Sequence, residues 1–402
     1  MLKSYLAILR RYPGIIAFGF LCTFFSNFGQ TFFIGLYGET FQNALALSST
    51  EFGMVYSGVT IASAGLLLVL GHFIDTVPLR RYVIIVCATS AAGCFLIAHA
   101  PGLPLFIIGL WLVRFNGQGI MTHMSSTVTA REVHEGRGRS LSLSVLGLPA
   151  GAIVFPLLFT AVTAWADWRT SWTGYGLVYL LMVLPLLLWL APRTPLDLPD
   201  ALEASTGEER KLHHVLRDPA LWLLMAANML MPFILTGIFF HQQRLMDGLG
   251  FSAQLYAFSF IAYGIGHAVA ELLSGYMVDR FGATWVLRLF LLPFIAATLA
   301  LLAVPVTAML PIFMLASALT AGCTHSARGS FLAERYGTRQ LGAVKSLFAS
   351  GMVLSSALSP TLFGIILDTT SDAGLILHLC WSSAALLCVA LQWLNQPAPA
   401  KW

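Results

Sequence analysis

At 402 residues, with 57% apolar and only 10% charged side chains, the chain carries more hydrophobic surface than a water-soluble core can hide, which excludes a soluble globular protein. The formal net charge of +4 would point to acidic partners if it lay on one soluble face. Scattered between long apolar runs, it reports membrane orientation instead, and no nucleic-acid partner is expected.

Apolar runs long enough to span a bilayer fall at about 14–38, 51–75, 82–100, 104–130, 140–165, 172–191, 219–241, 252–279, 284–304, 307–333, 341–368 and 373–395. The first follows Lys3, Arg10 and Arg11 as a signal sequence would, but it is long enough to span and has no small-residue cleavage site, so it reads as the first helix. With the N-terminus inside, the remaining cations, Arg328 among them, gather on or near the cytoplasmic side. Only Arg169 and Arg244 fall outside, and Arg114 alone lies within a run. Both termini are therefore expected in the cytoplasm, and the protein in the cytoplasmic membrane.

The first run carries Asn27 and Gln30. The second ends on Gly71 and Asp75, followed by Arg80 and Arg81 where the third begins. Arg114 lies about ten residues into the fourth run, roughly 15 Å deep at the helical rise. A cation there costs roughly 2.5–3.5 kcal/mol on insertion scales, so a carboxylate, a wet cavity or an anionic substrate should offset it. Gln118 and His123 follow on the same run.

Residues 192–218, Pro-rich and then charged through Glu208, Glu209, Arg210 and Lys211, divide the runs six and six. The domains expected are 1–191, a cytoplasmic linker over 192–218, and 219–402. Asn228 lies on the seventh run and His325 on the tenth. The eighth carries Tyr256, Tyr263, His267 and Glu271, the last two four residues apart and so on one helix face that continues to Gly275 and Asp279. A histidine titrates near neutral pH, and a carboxylate changes its proton affinity with its hydration, which makes the pair a candidate proton site. A satisfied internal hydrogen bond fixing helix packing is the alternative.

The eighth run closes on Gly275-Tyr276-Met277-Val278-Asp279-Arg280-Phe281-Gly282, and the Gly71–Arg81 stretch is a weaker copy 204 residues earlier. In both, a glycine shortly before an acid lets a helix end approach a neighbour closely, and a carboxylate with following cations sits where the chain leaves the membrane. The spacing resembles the loop signature of the major facilitator superfamily, in the two places where that family carries it. The first copy departs from it, with Thr76 for the usual basic residue and Pro78 for the last glycine. The resemblance implies an all-α membrane protein of twelve transmembrane helices in two pseudo-symmetric six-helix bundles, and a cytoplasmic gate at Gly71, Asp75, Arg80, Arg81, Gly275, Asp279, Arg280 and Gly282. The halves also repeat elsewhere: Thr122-His123 and Glu132 match Thr324-His325 and Glu334, and Gly147 and Pro156 match Gly351 and Pro360.

Arg114-Phe115-Asn116-Gly117-Gln118-Gly119 is similar to the arginine and glycines that the family often has in its fourth helix. A narrower resemblance, to the monocarboxylate type, rests on the eighth run, where that group bears an aspartate and an arginine eight and four residues before the motif glycine. Here those positions are His267 and Glu271. Arg137-Gly138-Arg139 leading to Gly147-Leu148-Pro149-Ala150-Gly151 also looks like that group. Because the carboxylate-binding arginine has become an acid, the likeness carries architecture better than substrate, and an anionic substrate would need Arg114.

The six cysteines all lie in apolar runs without metal-ligand spacing, and neither disulfide nor metal is expected. No nucleotide-binding loop, cofactor fingerprint or catalytic set is found, so the chain is expected not to be an enzyme. The expected function is secondary active transport of a small carboxylate-bearing solute by alternating access, coupled to protons, by a monomer. Substrate or proton contacts are expected from Arg114, His267, Glu271, Asn27, Gln30, Gln118, His123, Asn228, Tyr256, Tyr263 and His325. The alternatives are a proton-driven exporter of cationic, drug-like compounds and, from another class, a non-transporting membrane sensor or assembly factor on the same fold.

Overall fold

A computed structural model describes residues 2–133, 136–191, 215–336, 341–370 and 372–394. Among them are twelve helices long and apolar enough to cross a membrane: α1 Pro13–Leu36, α2 Ser49–Thr76, α3 Leu79–His99, α4 Leu103–Glu132, α5 Arg137–Thr163, α6 Trp168–Leu190, α7 Pro219–Phe240, α8 Ala253–Phe281, α9 Ala283–Ala303, α10 Met309–Tyr336, α11 Val344–Thr370 and α12 Ala373–Leu391. The chain divides into two compact units, Met1–Ala201 and Leu202–Trp402. Of the expected linker, 192–214 lies outside the described residues.

Short polar side chains fix where the helices begin. Ser48 and Glu51 form a reciprocal capping box at the start of α2. Asp167, Asp218, Ser252 and Asp372 accept from early backbone N–H groups of α6, α7, α8 and α12. Each satisfies a donor that the helix itself leaves unpaired. Gly282 ends α8 at φ 85°, a conformation that favours glycine. Pro78, at the matching place after α2, cannot adopt it, and that loop instead turns through extended backbone at Val77 and Pro78.

The first unit packs around an aromatic core. Phe28 meets Phe155 with ring centroids 4.5 Å apart and Tyr175 at 4.9 Å, and the Tyr37 and Tyr175 hydroxyls are 2.8 Å apart. In the second unit small residues bring helices together, as expected where lipid supplies no hydrophobic drive between them. Gly322 of α10 lies against Ala270 and the backbone of His267 and Glu271 on α8, and Ser274 donates to the Cys323 carbonyl at 3.0 Å. Between α7 and α11, Ser355 donates to the Met229 carbonyl at 2.6 Å.

Candidate functional site

In the first unit the helix that should run unbroken through Asn27 and Gln30 is interrupted. Ser26–Gly29 form a 3₁₀ turn and Gln30 is extended, with ψ 150°. Opposite, Phe115–Met121 of α4 widen into a π-helical stretch. The two irregularities touch where Gly29 and Gly117 meet backbone to backbone, with no room for a Cβ on either. Arg114 lies at this contact, 1% exposed, and its Nη1 donates to the Gly29 carbonyl at 3.1 Å.

Its guanidinium carbon stands 4.9 Å from the centre of the Tyr56 ring, and Tyr56 donates in turn to the Thr31 hydroxyl at 2.8 Å. Nε and Nη2 of Arg114 have no hydrogen-bond partner, and among the described residues no carboxylate pairs with it. A carbonyl dipole and a ring face attract a guanidinium without cancelling its charge. The buried site therefore keeps a net positive charge and one free edge with two donors.

The other candidates in this unit do different things. Asn27 is 1% exposed and spends its amide on the Thr23 and Phe24 carbonyls, close against Gly151 of α5. Gln30 is half-buried and Gln118 exposed. His123 Nε2 is 3.1 Å from the carbonyl of Gly71, which ties the Thr-His element of α4 to the loop signature. Asp75 is paired with Arg131, in the last turn of α4, while Arg80 and Arg81 are exposed and in no ion pair among the described residues. An apolar cavity of about 250 Å³ between α1, α5 and α6, lined by Phe24, Phe28, Phe155, Trp165 and Tyr175 among others, includes none of the polar candidates.

In the second unit α8 places Tyr256, Tyr263, His267 and Glu271 along its length. Tyr256 is 2% exposed and its hydroxyl has no partner. Tyr263 packs edge-on to Phe239 at 5.1 Å and lies tilted over His267 at 6.0 Å. His267 and Glu271 are both part-buried, and His267 Nδ1 is without a partner. No hydrogen bond joins them to each other among the described residues. Asp279 is exposed and in no ion pair among the described residues, and Arg280 donates to the Tyr276 hydroxyl at 2.8 Å. Asn228 is 7% exposed and accepts from Arg328. The side chain of His325 lies outside the described residues.

The sequence matches the Major Facilitator Superfamily over residues 19–261 and 242–402, which together take in nearly the whole chain. The chain belongs to the major facilitator superfamily. No curated protein sequence matches it. Among solved structures it is similar to a bacterial homologue of the human lysosomal transporter Spinster, crystallised inward-facing and unoccupied (TM-score 0.69, 15% identity, 95% of each chain covered). The occupied form of that homologue matches at TM-score 0.69 and 15% identity, over 95% of this chain and 94% of that one. A point variant of the nucleoside transporter NupG matches at TM-score 0.74 and 12% identity, over 94% of this chain and 99% of that one. Family and fold point to a transporter of small molecules in a membrane rather than an enzyme.

In this superfamily member two arginines act beyond what their place in the sequence suggests. Arg131 reads as one of many cytoplasmic cations, yet it is the partner of Asp75. Arg328 also reads as interfacial, but it reaches Asn228 inside the second unit. The signal that could have found it is its distance from the end of its helix, eight residues before Tyr336.

Proposed function

We propose that this protein is a proton-coupled secondary transporter of a small carboxylate-bearing solute, working as a monomer by alternating access in the cytoplasmic membrane with both termini in the cytoplasm. The observation that carries the substrate class is the free edge of Arg114. Gly29 takes one N–H and Tyr56 covers one face, so Nε and Nη2 remain as two parallel donors, and among the described residues no carboxylate pairs with the guanidinium. That edge matches the two oxygens of a carboxylate.

His267 and Glu271 support coupling. They stand one turn apart on one face of α8, part-buried and not bonded to each other, so the acid is available to take up and release a proton as its hydration changes. The cytoplasmic gate is assigned to Asp75, held by Arg131, and to Asp279, exposed at the end of α8, with Gly71 and Gly282 at the two helix ends, Gly275 inside α8 with open space around it rather than a close neighbour, and Arg80, Arg81 and Arg280 beside them.

Uptake of labelled small carboxylates into proteoliposomes, with and without an imposed pH gradient, tests the reading. Accumulation that follows the gradient is expected. Transport of cationic amphiphiles with no carboxylate uptake would replace it by the exporter, in which Glu271 meets the substrate. No transport of either class would favour a sensor.

A further inference from the structure

Arg328 lies about 12 Å along α10 from its Tyr336 end, at the rise of an α-helix, well inside the span. Its Nη1 donates to Oδ1 of Asn228 on α7 and approaches Sδ of Met352 on α11 at 3.4 Å. Among the described residues no carboxylate pairs with it. A cation in a membrane span costs free energy unless something compensates it, and an amide oxygen with a thioether does not neutralise the charge.

The orientation of Asn228 matters as much as the arginine. Because its Oδ1 accepts from Arg328, its Nδ2 is turned the other way, and that nitrogen is buried without a partner in a residue only 7% exposed. A buried, unpaired amide N–H is costly, and here it stands beside a guanidinium that itself only donates. Every unused polar group of the cluster is a donor, so the group that completes it is an acceptor with negative charge.

A tie between helices would explain less. Arg335 and Tyr336 of α10 already hold Asp218, the cap of α7, at 2.6 and 2.8 Å, and Ser355 joins α7 and α11 through the Met229 carbonyl at 2.6 Å, so these helices are held without Arg328. A structural tie would also have no use for a buried donor left open.

We propose that Arg328 and Asn228 form a carboxylate-binding site within the C-terminal unit, with Met352 offering a soft apolar contact to the hydrocarbon next to the carboxylate. The inference rests on the reading of the protein as a carboxylate transporter and adds a specificity-determining pair to it. Arg114 in the first unit and Arg328 in the second are then each an arginine inside a span with no carboxylate partner among the described residues.

The test uses the full-length protein carrying Met352→Cys, reconstituted in liposomes and labelled with a neutral thiol reagent. The rate at residue 352 is followed by peptide mass spectrometry in the presence of acetate, benzoate or chloride. Carboxylates should slow labelling and chloride should not. Adding Arg328→Gln should weaken that protection about tenfold or more, the loss expected for a charged hydrogen bond, with Arg328→Lys and Asn228→Ala losing part of it.

No protection in the parent, equal protection by chloride, or protection unchanged by Arg328→Gln overturns the site. If Arg328→Gln does not fold, the same comparison is made with Arg328→Lys and Asn228→Ala, and unchanged protection in both overturns it equally. Uptake of the same acids separates this inference from the reading beneath it. Carboxylate uptake with the same KM in wild type and Arg328→Gln sinks the site alone, while arginine-dependent protection without uptake supports the site and sinks the transport of carboxylates.

Discussion

Arg335, near the end of α10, grips Asp218, the cap of α7, with two N–H groups, Nε to Oδ2 at 2.6 Å and Nη2 to Oδ1 at 3.1 Å. Tyr336 donates to Oδ2 as well, at 2.8 Å. In the first unit the arginine near the corresponding helix end, Arg131, holds the loop acid Asp75 instead. The two halves thus use the same cation for different acids, and Asp279 is left exposed.

Asp218 both caps a helix and accepts a charged fork, and the two roles separate by substitution. Asp218→Asn keeps a cap and loses the charge, and should cost about 1 kcal/mol or less because the pair is part-exposed. Asp218→Ala removes both and should cost roughly 1–2 kcal/mol more. Burial raises the Asp218 pKa, but the hydrogen bonds from Arg335 and Tyr336 outweigh it and hold the carboxyl below its usual range. A depressed carboxylate stabilises the fold above its unfolded pKa, so this contribution persists at neutral pH and is lost only as pH falls through the depressed value. Thermal unfolding of both variants against pH checks the order; equal losses would remove the separate charge role.

The loop acids should respond unequally to neutralisation. Asp75→Asn breaks the pair with Arg131 and should lower stability by about 0–1 kcal/mol, whereas Asp279→Asn should change it by less than about 0.5 kcal/mol. If Asp279 closes the cytoplasmic side, its neutralisation should still raise labelling of cytoplasm-accessible cysteines. Unchanged labelling in a folded variant would remove it from the gate.

At Arg114, lysine keeps the charge but not the two-donor edge. Carboxylate affinity should fall about tenfold or more in Arg114→Lys and further in Arg114→Ala. Equilibrium binding by calorimetry is the measurement, and affinity that survives both changes would leave Arg114 as a clamp on the Gly29 carbonyl.

Coupling is tested at Glu271. Glu271→Gln keeps size and hydrogen bonding but cannot ionise, so counterflow of labelled substrate should persist while accumulation driven by a pH gradient collapses. His267→Gln should move the pH dependence of transport without abolishing it. A Glu271→Gln protein that still concentrates substrate in response to pH would transfer the proton to another group.

His241, just beyond α7, predicts an acid sensitivity with a definite sign. It is 3% exposed and its Nε2 is 2.7 Å from the Pro360 carbonyl. Burial pulls its pKa from 6.5 to about 4, against the opposing pull of the Pro360 bond and with a smaller contribution from Arg244. The unfolded chain therefore binds this proton more tightly than the native one. The contribution is complete above the unfolded value, declines as pH falls from 6.5 to about 4 and changes no further below that. The melting temperature of His241→Gln should show a flatter acid limb than wild type between those values, and identical slopes would contradict it.

Much of the architecture was legible from the chain alone, because the length and hydropathy of a spanning segment are local properties. Twelve apolar runs correspond to the twelve spanning helices among the described residues, and the Gly275–Gly282 signature announced the family that nearly the whole chain matches. The spacing of His267 and Glu271 placed them on one face without reference to any neighbour. What local pattern does not contain is how each helix is rotated against the next, and this decided the partners. Arg114 meets the Gly29 carbonyl because α1 breaks at Ser26–Gly29 and two glycines let the backbones touch, a contact between residues 85 positions apart. Asp75 takes Arg131 over the nearer Arg80 and Arg81, and Asn228 meets Arg328 from 100 residues away. Hydropathy sets which segments enter the bilayer, whereas close packing of small residues sets which polar groups face each other once they are there.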